Sequence, residues 1–209
     1  RINYRGYFPE NKEAQILDIG PGRGEMLECL KRWGYNNYLG IDLSPDIIEF
    51  CKSLNYNCRL VPDTKEWLKE HKKTYDVITL LDVLEHIPKS ETIGFLSAIR
   101  ESLKDGGMLI IQVPNLESPE GYLTHFADFT HEVGYTEHSL QQVLRLSGFT
   151  DFLIRGFEGY IMNNWKKYAG KMLRSLYWKG VKLQRIVSNN LVPNIMDTVL
   201  YAVVRNKSK

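Results

Sequence analysis

Residues 16–27, ILDIGPGRGEML, decide how the rest of the chain is read. Ile16, Leu17 and Ile19 form a short aliphatic run suited to a buried strand, and a helical pattern opens at Glu25, Met26 and Leu27. Between them Gly20, Gly22 and Gly24 fall at every second position. Glycine lets the backbone turn sharply and lets a ligand approach where a Cβ would stand, while the start of the next helix offers free N–H groups to a carboxylate or phosphate. The spacing G-x-G-x-G, with the acidic Asp18 two residues ahead, departs from the dinucleotide fingerprint G-x-G-x-x-G. The stretch predicts strand, turn and helix; on its own it does not choose the ligand.

The same alternation continues downstream. NNYLGIDL (36–43), NCRLV (57–61), YDVITLLDVL (75–84) and GMLIIQVP (107–114) read as buried parallel strands, separated by helical patterns at 24–33, 46–55, 64–73 and 90–104. Strand–helix alternation predicts a doubly wound α/β sheet. Thr136 reads as the N-cap of a further helix with Leu140, Val143, Leu144 and Leu146 inward and Gly148 as its stop. FTDFLIRGF (149–157) and TVLYAVVR (198–205) add two strands. They flank residues 160–194, whose composition differs and which read as a helical insertion before the last strand of a single domain spanning 1–209.

With 209 residues, 43% hydrophobic and 25% charged, the chain has the size and composition of one globular domain. A net charge of +2 gives no reason to expect a nucleic-acid partner. Cys29, Cys51 and Cys58 are odd in number and widely spaced, which suits reduced thiols in a cytoplasmic protein better than a disulfide framework. The longest apolar runs, such as Met108 to Val113, fall far short of the roughly 20 residues of a bilayer span.

Asp42, in GIDLS, falls at the tip of the second strand, where two carboxylate oxygens can grip both hydroxyls of a ribose. With ILDIGPGRGEML, YLGIDLSPDIIEFC, YDVITLLDVLEHI and LKDGGMLIIQVPN in order and approximate spacing, residues 14 to 159 resemble the class I S-adenosylmethionine-dependent methyltransferases. The resemblance implies a Rossmann-like, seven-stranded, mainly parallel sheet whose last strand enters antiparallel, with S-adenosyl-L-methionine across the carboxyl ends of the strands. It implies that Asp18, Gly20, Gly22 and Gly24 surround the methionine moiety, that Asp42 binds the ribose, that Asp63 lies near the adenine, and that Leu81 and Asp82 wall the cofactor. VPDTKEW departs from the commoner glycine-aspartate form around Asp63, which weakens that one assignment.

In this family the loop after the fifth strand faces the methyl acceptor, and THFADFTHEVGYTEHSL (124–140) falls there with three of the chain's five histidines. An alcohol acceptor must lose a proton as it is methylated, so a base within reach is useful. His131 is the expected base, with Asp128 three residues earlier holding its imidazole in one tautomer; His138 belongs to a helix start and His125 is unassigned. A metal held by His125, Asp128, His131 and Glu132 is conceivable, but two histidines suit magnesium poorly, and no metal is expected.

GRGEML with PNLES and DFTHEVGYTEHSLQQVLRLSGF, mostly residues 115–149, resembles the methyltransferases of bacterial cell-surface polysaccharide assembly, which implies O-methylation of a saccharide, glycan or phosphosugar. Methylation of a quinone, a lipid or a small amine, or a catalytically silent binding role, remains as an alternative. Between Glu158 and Asp197 seven lysines and arginines occur without an acidic residue, interleaved with Trp165, Tyr168, Met172 and Leu176 at helical spacing. That pattern predicts an amphipathic helix on an anionic membrane through 160–185, at the inner face, or a lid packed on its own sheet. Gly170 and Gly180 argue against one long helix. The oligomeric state is not legible.

Overall fold

In a computed structural model, residues 4–157 and 165–207 are described, apart from the side chains of 165–169 and 171; the expected insertion from 160 therefore lies partly outside them. Seven strands form one sheet: β1 (Ile16–Ile19), β2 (Tyr38–Asp42), β3 (Cys58–Leu60), β4 (Tyr75–Leu81), β5 (Leu103–Pro114), β6 (Asp151–Gly156) and β7 (Val199–Arg205). The order is β3-β2-β1-β4-β5-β7-β6, and β7 alone runs antiparallel to its neighbours. The helices are α1 (Glu25–Arg32), α2 (Pro45–Ser53), α3 (Thr64–Glu70), α4 (Lys89–Ser102), α5 (Gly121–Phe126), α6 (Glu137–Leu146) and α7 (Trp165–Val187). This is the expected seven-stranded, Rossmann-like sheet, with a helix inserted before the last strand.

The strands are buried on both faces, so their side chains divide with a period of two between two cores. Leu17, Ile19, Ile78, Leu80, Leu109 and Ile111 join Leu96, Ile99, Leu140 and Leu144 from α4 and α6. Ile16, Val77, Met108 and Ile110 join Met26, Leu27, Leu30 and Ile48 from α1 and α2 on the opposite face. Local chemistry sets where the helices begin. Ser44 caps α2 with Pro45 in its first turn, Asp63 accepts the Glu66 N–H at 3.0 Å to cap α3, and Thr136 and Ser139 form a capping box on α6. Gly148, at φ +87°, follows α6 where the stop was expected.

Three expectations are corrected. Residues 103 and 104 begin β5 rather than finishing a helix, because Leu103 pairs with Tyr75 before a register shift. A short helix, α5, stands in what read as continuous loop. The insertion carries one helix of 23 residues that runs through Gly170 and Gly180, where an added Cβ would meet nothing within 4 Å. On an exposed helix, glycine costs about 1 kcal/mol against alanine and does not by itself break the helix. No helix among the described residues is long and apolar enough to cross a membrane.

Candidate active site

The strand order reverses direction between β1 and β4, and the crevice outside their carboxyl ends is where ligands bind in open α/β sheets. There a cleft of about 550 Å³ is lined by Gly20 and Gly22 after β1, Asp42 after β2, Asp63 at the start of α3, and Asp82 and His86 after β4. Its volume lies within the roughly 300–1,000 Å³ of small-molecule sites. Gly22 (φ +52°) has open space where a Cβ would stand, so backbone is presented to a ligand. Gly20 (φ +70°) is pressed instead against Val83, whose Cγ2 would lie 2.4 Å from an added Cβ. Asp42 spends Oδ1 on the Ser44 N–H at 2.8 Å.

The remaining expected cofactor-side residues stand back from the cleft. Asp18 and Leu81 point to the α1–α2 face of the sheet, as period-two alternation requires, and Leu81 packs in that core. Asp18 is 2% exposed, and its Oδ1 accepts the Thr79 hydroxyl at 2.5 Å. Oδ2 has no partner among the described residues, and burial pushes the carboxyl up to about 7. Gly24 (φ +82°) is the N-cap of α1 and lies under the Tyr56 ring, which an added Cβ would approach to 2.6 Å. These three shape the turn and wall from behind.

At the other end of the cleft, the turn after β4 and the loop after β5 are tied together. The Glu85 carbonyl accepts the backbone N–H groups of Glu132 and Val133 at 2.8 and 3.0 Å. This brings the His86 and His131 rings to 4.7 Å, with the His125 ring 5.4 Å beyond His131. Nδ1 of His131 lies 2.9 Å from the His125 carbonyl, and Nδ1 of His86 lies 3.2 Å from the Thr130 carbonyl. A carbonyl oxygen only accepts, so each Nδ1 is the donor, which in the neutral ring leaves the lone pair on Nε2.

The expected Asp128–His131 pair is not formed. Asp128 Oδ1 accepts the Thr130 N–H at 2.9 Å and its hydroxyl at 2.7 Å, bonds that hold the carboxyl below the usual carboxylate range. With its proton given to Asp128, the Thr130 oxygen accepts from His86 Nδ1 at 3.0 Å. Asp128 therefore acts on His86 through Thr130, and the tautomer of His131 is set by the main chain. His138 lies in the first turn of α6, as expected.

Two features were only partly legible: Glu85 and His86 stand out in the sequence as the LEHI that follows a buried strand, but the surroundings of Glu85 do not. Glu85 is 1% exposed, neither of its carboxylate oxygens has a partner in another described residue, and burial pushes the group up to about 8. Its place in LDVLEHI, just past a buried strand, was the available signal. Asp82, held in a left-handed conformation (φ +52°), accepts at Oδ2 from Gln112 Nε2 at 2.6 Å, and Gln112 Oε1 accepts the Tyr4 hydroxyl. No local pattern marks that chain of bonds.

Residues 3–153 match a family described as a methyltransferase domain. The fold is similar to that of a SAM-dependent methyltransferase from Archaeoglobus fulgidus, at TM-score 0.74 and 26% identity over 97% of this chain and 89% of that one. A ubiquinone biosynthesis O-methyltransferase of Hydrogenovibrio crunogenus is 28% identical over 133 residues, which is 61% of this chain and 54% of that protein. One of the same name from Saccharophagus degradans is 30% identical over 128 residues, 59% of this chain and 52% of that protein. The chain thus matches about half the length of these curated relatives.

Proposed function

Because the chain belongs to the methyltransferase-domain family, whose cofactor is S-adenosylmethionine, we propose that it methylates a hydroxyl oxygen on an acceptor with an apolar body, such as a phenol carrying a hydrocarbon tail. The residues fit the cofactor. Gly22 presents backbone to its methionine end beside Gly20, Asp42 has a carboxylate oxygen left over for ribose hydroxyls, and Asp63 and Asp82 border the same cleft. Asp18, Gly24 and Leu81 shape the turn and wall from behind. When bound, S-adenosylmethionine supplies an electrophilic methyl group on a sulfonium, whose thioether leaves without acid help.

The observation that carries the acceptor reading is the pair of imidazoles, each with Nδ1–H against a carbonyl and its Nε2 left with a lone pair. They align the acceptor hydroxyl, and one Nε2 accepts its proton as the O–C bond forms. Phosphate or carboxylate acceptors would not need such groups. The apolar body is supported by the rim: Leu123 and Phe126 on α5 and Phe129 beyond it are exposed, the last two at 79% and 104%. Exposed apolar patches of this kind mark binding surfaces. The relatives' names point the same way, to a quinone-pathway O-methyltransferase, whereas the saccharide acceptor rests mostly on the likeness of residues 115–149.

We assign to α7 a peripheral contact with an anionic lipid surface. Arg174, Trp178, Val181 and Arg185 lie along one side of the helix, and Arg185 reaches the Glu117 carbonyl at 3.2 Å. Met172, Leu176, Leu183, Ile186 and Val187 lie along the other side and are exposed, with Lys179 among them.

A methyl-transfer screen tests the acceptor, using phenols and catechols with isoprenoid tails against sugar nucleotides and phosphosugars. Turnover on the phenols is expected; turnover on the sugars alone would restore the saccharide reading. His131→Ala is expected to lower turnover and leave cofactor affinity unchanged. Pelleting with anionic vesicles tests α7, and no retention would return it to a lid.

A further inference from the structure

We propose that Glu85, His86 and His131 form a binding site for a divalent transition-metal cation at the acceptor end of the cleft. One ligand atom from each of the three lies within 4.8 Å of the others. The geometry is independent of the cluster first suggested by the sequence, of which only His131 takes part: Asp128 is engaged by Thr130, and Glu132 is exposed.

Glu85 is the second observation. A carboxylate 1% exposed with no donor from another described residue is costly to keep in a fold, unless something positive meets it. The histidines are prepared in the way metal-bound imidazoles are. Each donates Nδ1–H to a main-chain carbonyl, which fixes the ring and directs Nε2 as the ligand atom. The two N–H bonds from Glu132 and Val133 to the Glu85 carbonyl hold the two halves of the site together across the chain.

Two imidazole nitrogens and one carboxylate oxygen suit zinc, manganese or iron(II) better than magnesium or calcium, which prefer oxygen. Such a metal draws its donors to about 2.0–2.2 Å, so the ligand atoms close to about 3 Å from one another by side-chain rotation. Three protein ligands leave positions open to water or to an acceptor oxygen. What the open position holds rests on the function proposed above; the binding of the cation does not. With the cation present, Glu85, His86 and His131 would hold it, and it would bind the acceptor as its oxyanion, the hydroxyl proton passing to solvent water on coordination rather than to an imidazole.

The test begins with the chain dialysed against a chelator and titrated with Mn²⁺ and Zn²⁺ by calorimetry, with the Mn²⁺ resonance spectrum as a second readout. A single equivalent is expected to bind. Glu85→Gln, nearly equal in volume, and His131→Ala are each expected to weaken it at least about 10–100-fold, while His138→Ala, on the exposed start of α6, leaves it unchanged. S-adenosylhomocysteine affinity of the metal-free variants, expected at the wild-type value, shows that they are folded. Absence of Mn²⁺ and Zn²⁺ binding at millimolar concentration overturns the proposal, as does equal binding by wild type, Glu85→Gln and His131→Ala. Chelator-resistant methyl transfer by a chain that binds no metal would sink the cation and leave the methyltransferase standing. Metal binding lost in both variants, without methylation of any acceptor, would do the reverse.

Discussion

Gly20→Ala and Gly22→Ala, each the addition of one methyl group in the same turn, should separate the role of holding the fold from the role of admitting the cofactor. Both glycines have positive φ, +70° and +52°, so alanine at either costs about 1–2 kcal/mol in backbone strain. At Gly22 nothing lies within 4 Å of the new methyl, and the penalty stops there. At Gly20 the methyl would stand 2.4 Å from Val83 Cγ2, which adds about 1–3 kcal/mol of overpacking. At about 2–4 °C per kcal/mol for a chain of this size, Gly22→Ala should lower the melting temperature by about 2–8 °C, and Gly20→Ala by more. For the cofactor the larger effect at constant fold belongs to Gly22. Its open side faces the cleft, so S-adenosylhomocysteine affinity of the folded Gly22→Ala protein should fall at least about tenfold, or 1.4 kcal/mol. Gly106→Ala is the control: φ is +77°, nothing lies within 4 Å, and the site is near the N-terminal end of β5, at the opposite end of the strands from the cleft. It should lose similar stability and no affinity. Calorimetry at a temperature well below every transition makes the comparison. Wild-type affinity in Gly22→Ala would show that this glycine serves only the turn, and the cofactor would have to be placed elsewhere.

Asp42→Ala should weaken S-adenosylhomocysteine binding by about 10–100-fold in the same calorimeter, since a hydrogen bond to a charged group contributes about 1.5–3 kcal/mol; unchanged affinity would remove Asp42 from the ribose site. Asp18 gives a pH dependence. Its folded pKa of about 7 lies above the unfolded value of roughly 3.9, so its contribution to stability is complete below about pH 4 and is lost as pH rises through about 7. Urea melts of the cofactor-free chain between pH 5 and 8 should therefore show stability falling by up to about 1.4 kcal/mol per pH unit, with Asp18→Asn flattening the lower part of that slope; equal slopes would refute it. Thr130→Val removes the oxygen between Asp128 and His86, and should lower turnover about as much as Asp128→Ala while cofactor affinity holds. A loss confined to Asp128→Ala would mean that the carboxylate acts by another route.

The sheet was legible because its strands advertise themselves locally. Ile16–Ile19, Val77–Leu80 and Met108–Val113 are near-continuous aliphatic runs, as strands covered on both faces must be, and the helices between them carry their own caps. The direction of individual side chains was less legible. Asp18 and Leu81 sit at the carboxyl ends of their strands, where a ligand contact is natural, but the pleat turns both toward α1 and α2. Gly20 and Gly22 look alike in sequence; only the position of Val83, brought in from the neighbouring strand's end, distinguishes them.

The acceptor end fails to be legible for a different reason: the residues that resemble a signature are largely spent on holding the loop. Asn115 is fully buried and gives its amide to the carbonyls of Ile195 and Asp197 at 3.1 and 2.8 Å, while its oxygen accepts the Glu117 N–H. Tyr135 is buried and its carbonyl accepts the Leu116 N–H; Thr136 caps α6. In this chain such contacts hold the loop to the sheet, so a likeness across 115–149 speaks first of the loop's structure and carries little about the acceptor. Asp128 and His131 were joined by a spacing of three, which brings side chains together on a helix but not in a loop, where aspartate bonds its own backbone two residues on. His86, by contrast, meets Thr130 across 44 residues of chain, and Glu85 reaches the same place from beneath. The groups proposed to meet the acceptor are therefore assembled from both sides of a contact that no local pattern records, and it is their chemistry, rather than the motif around them, that bears on the proposed acceptor.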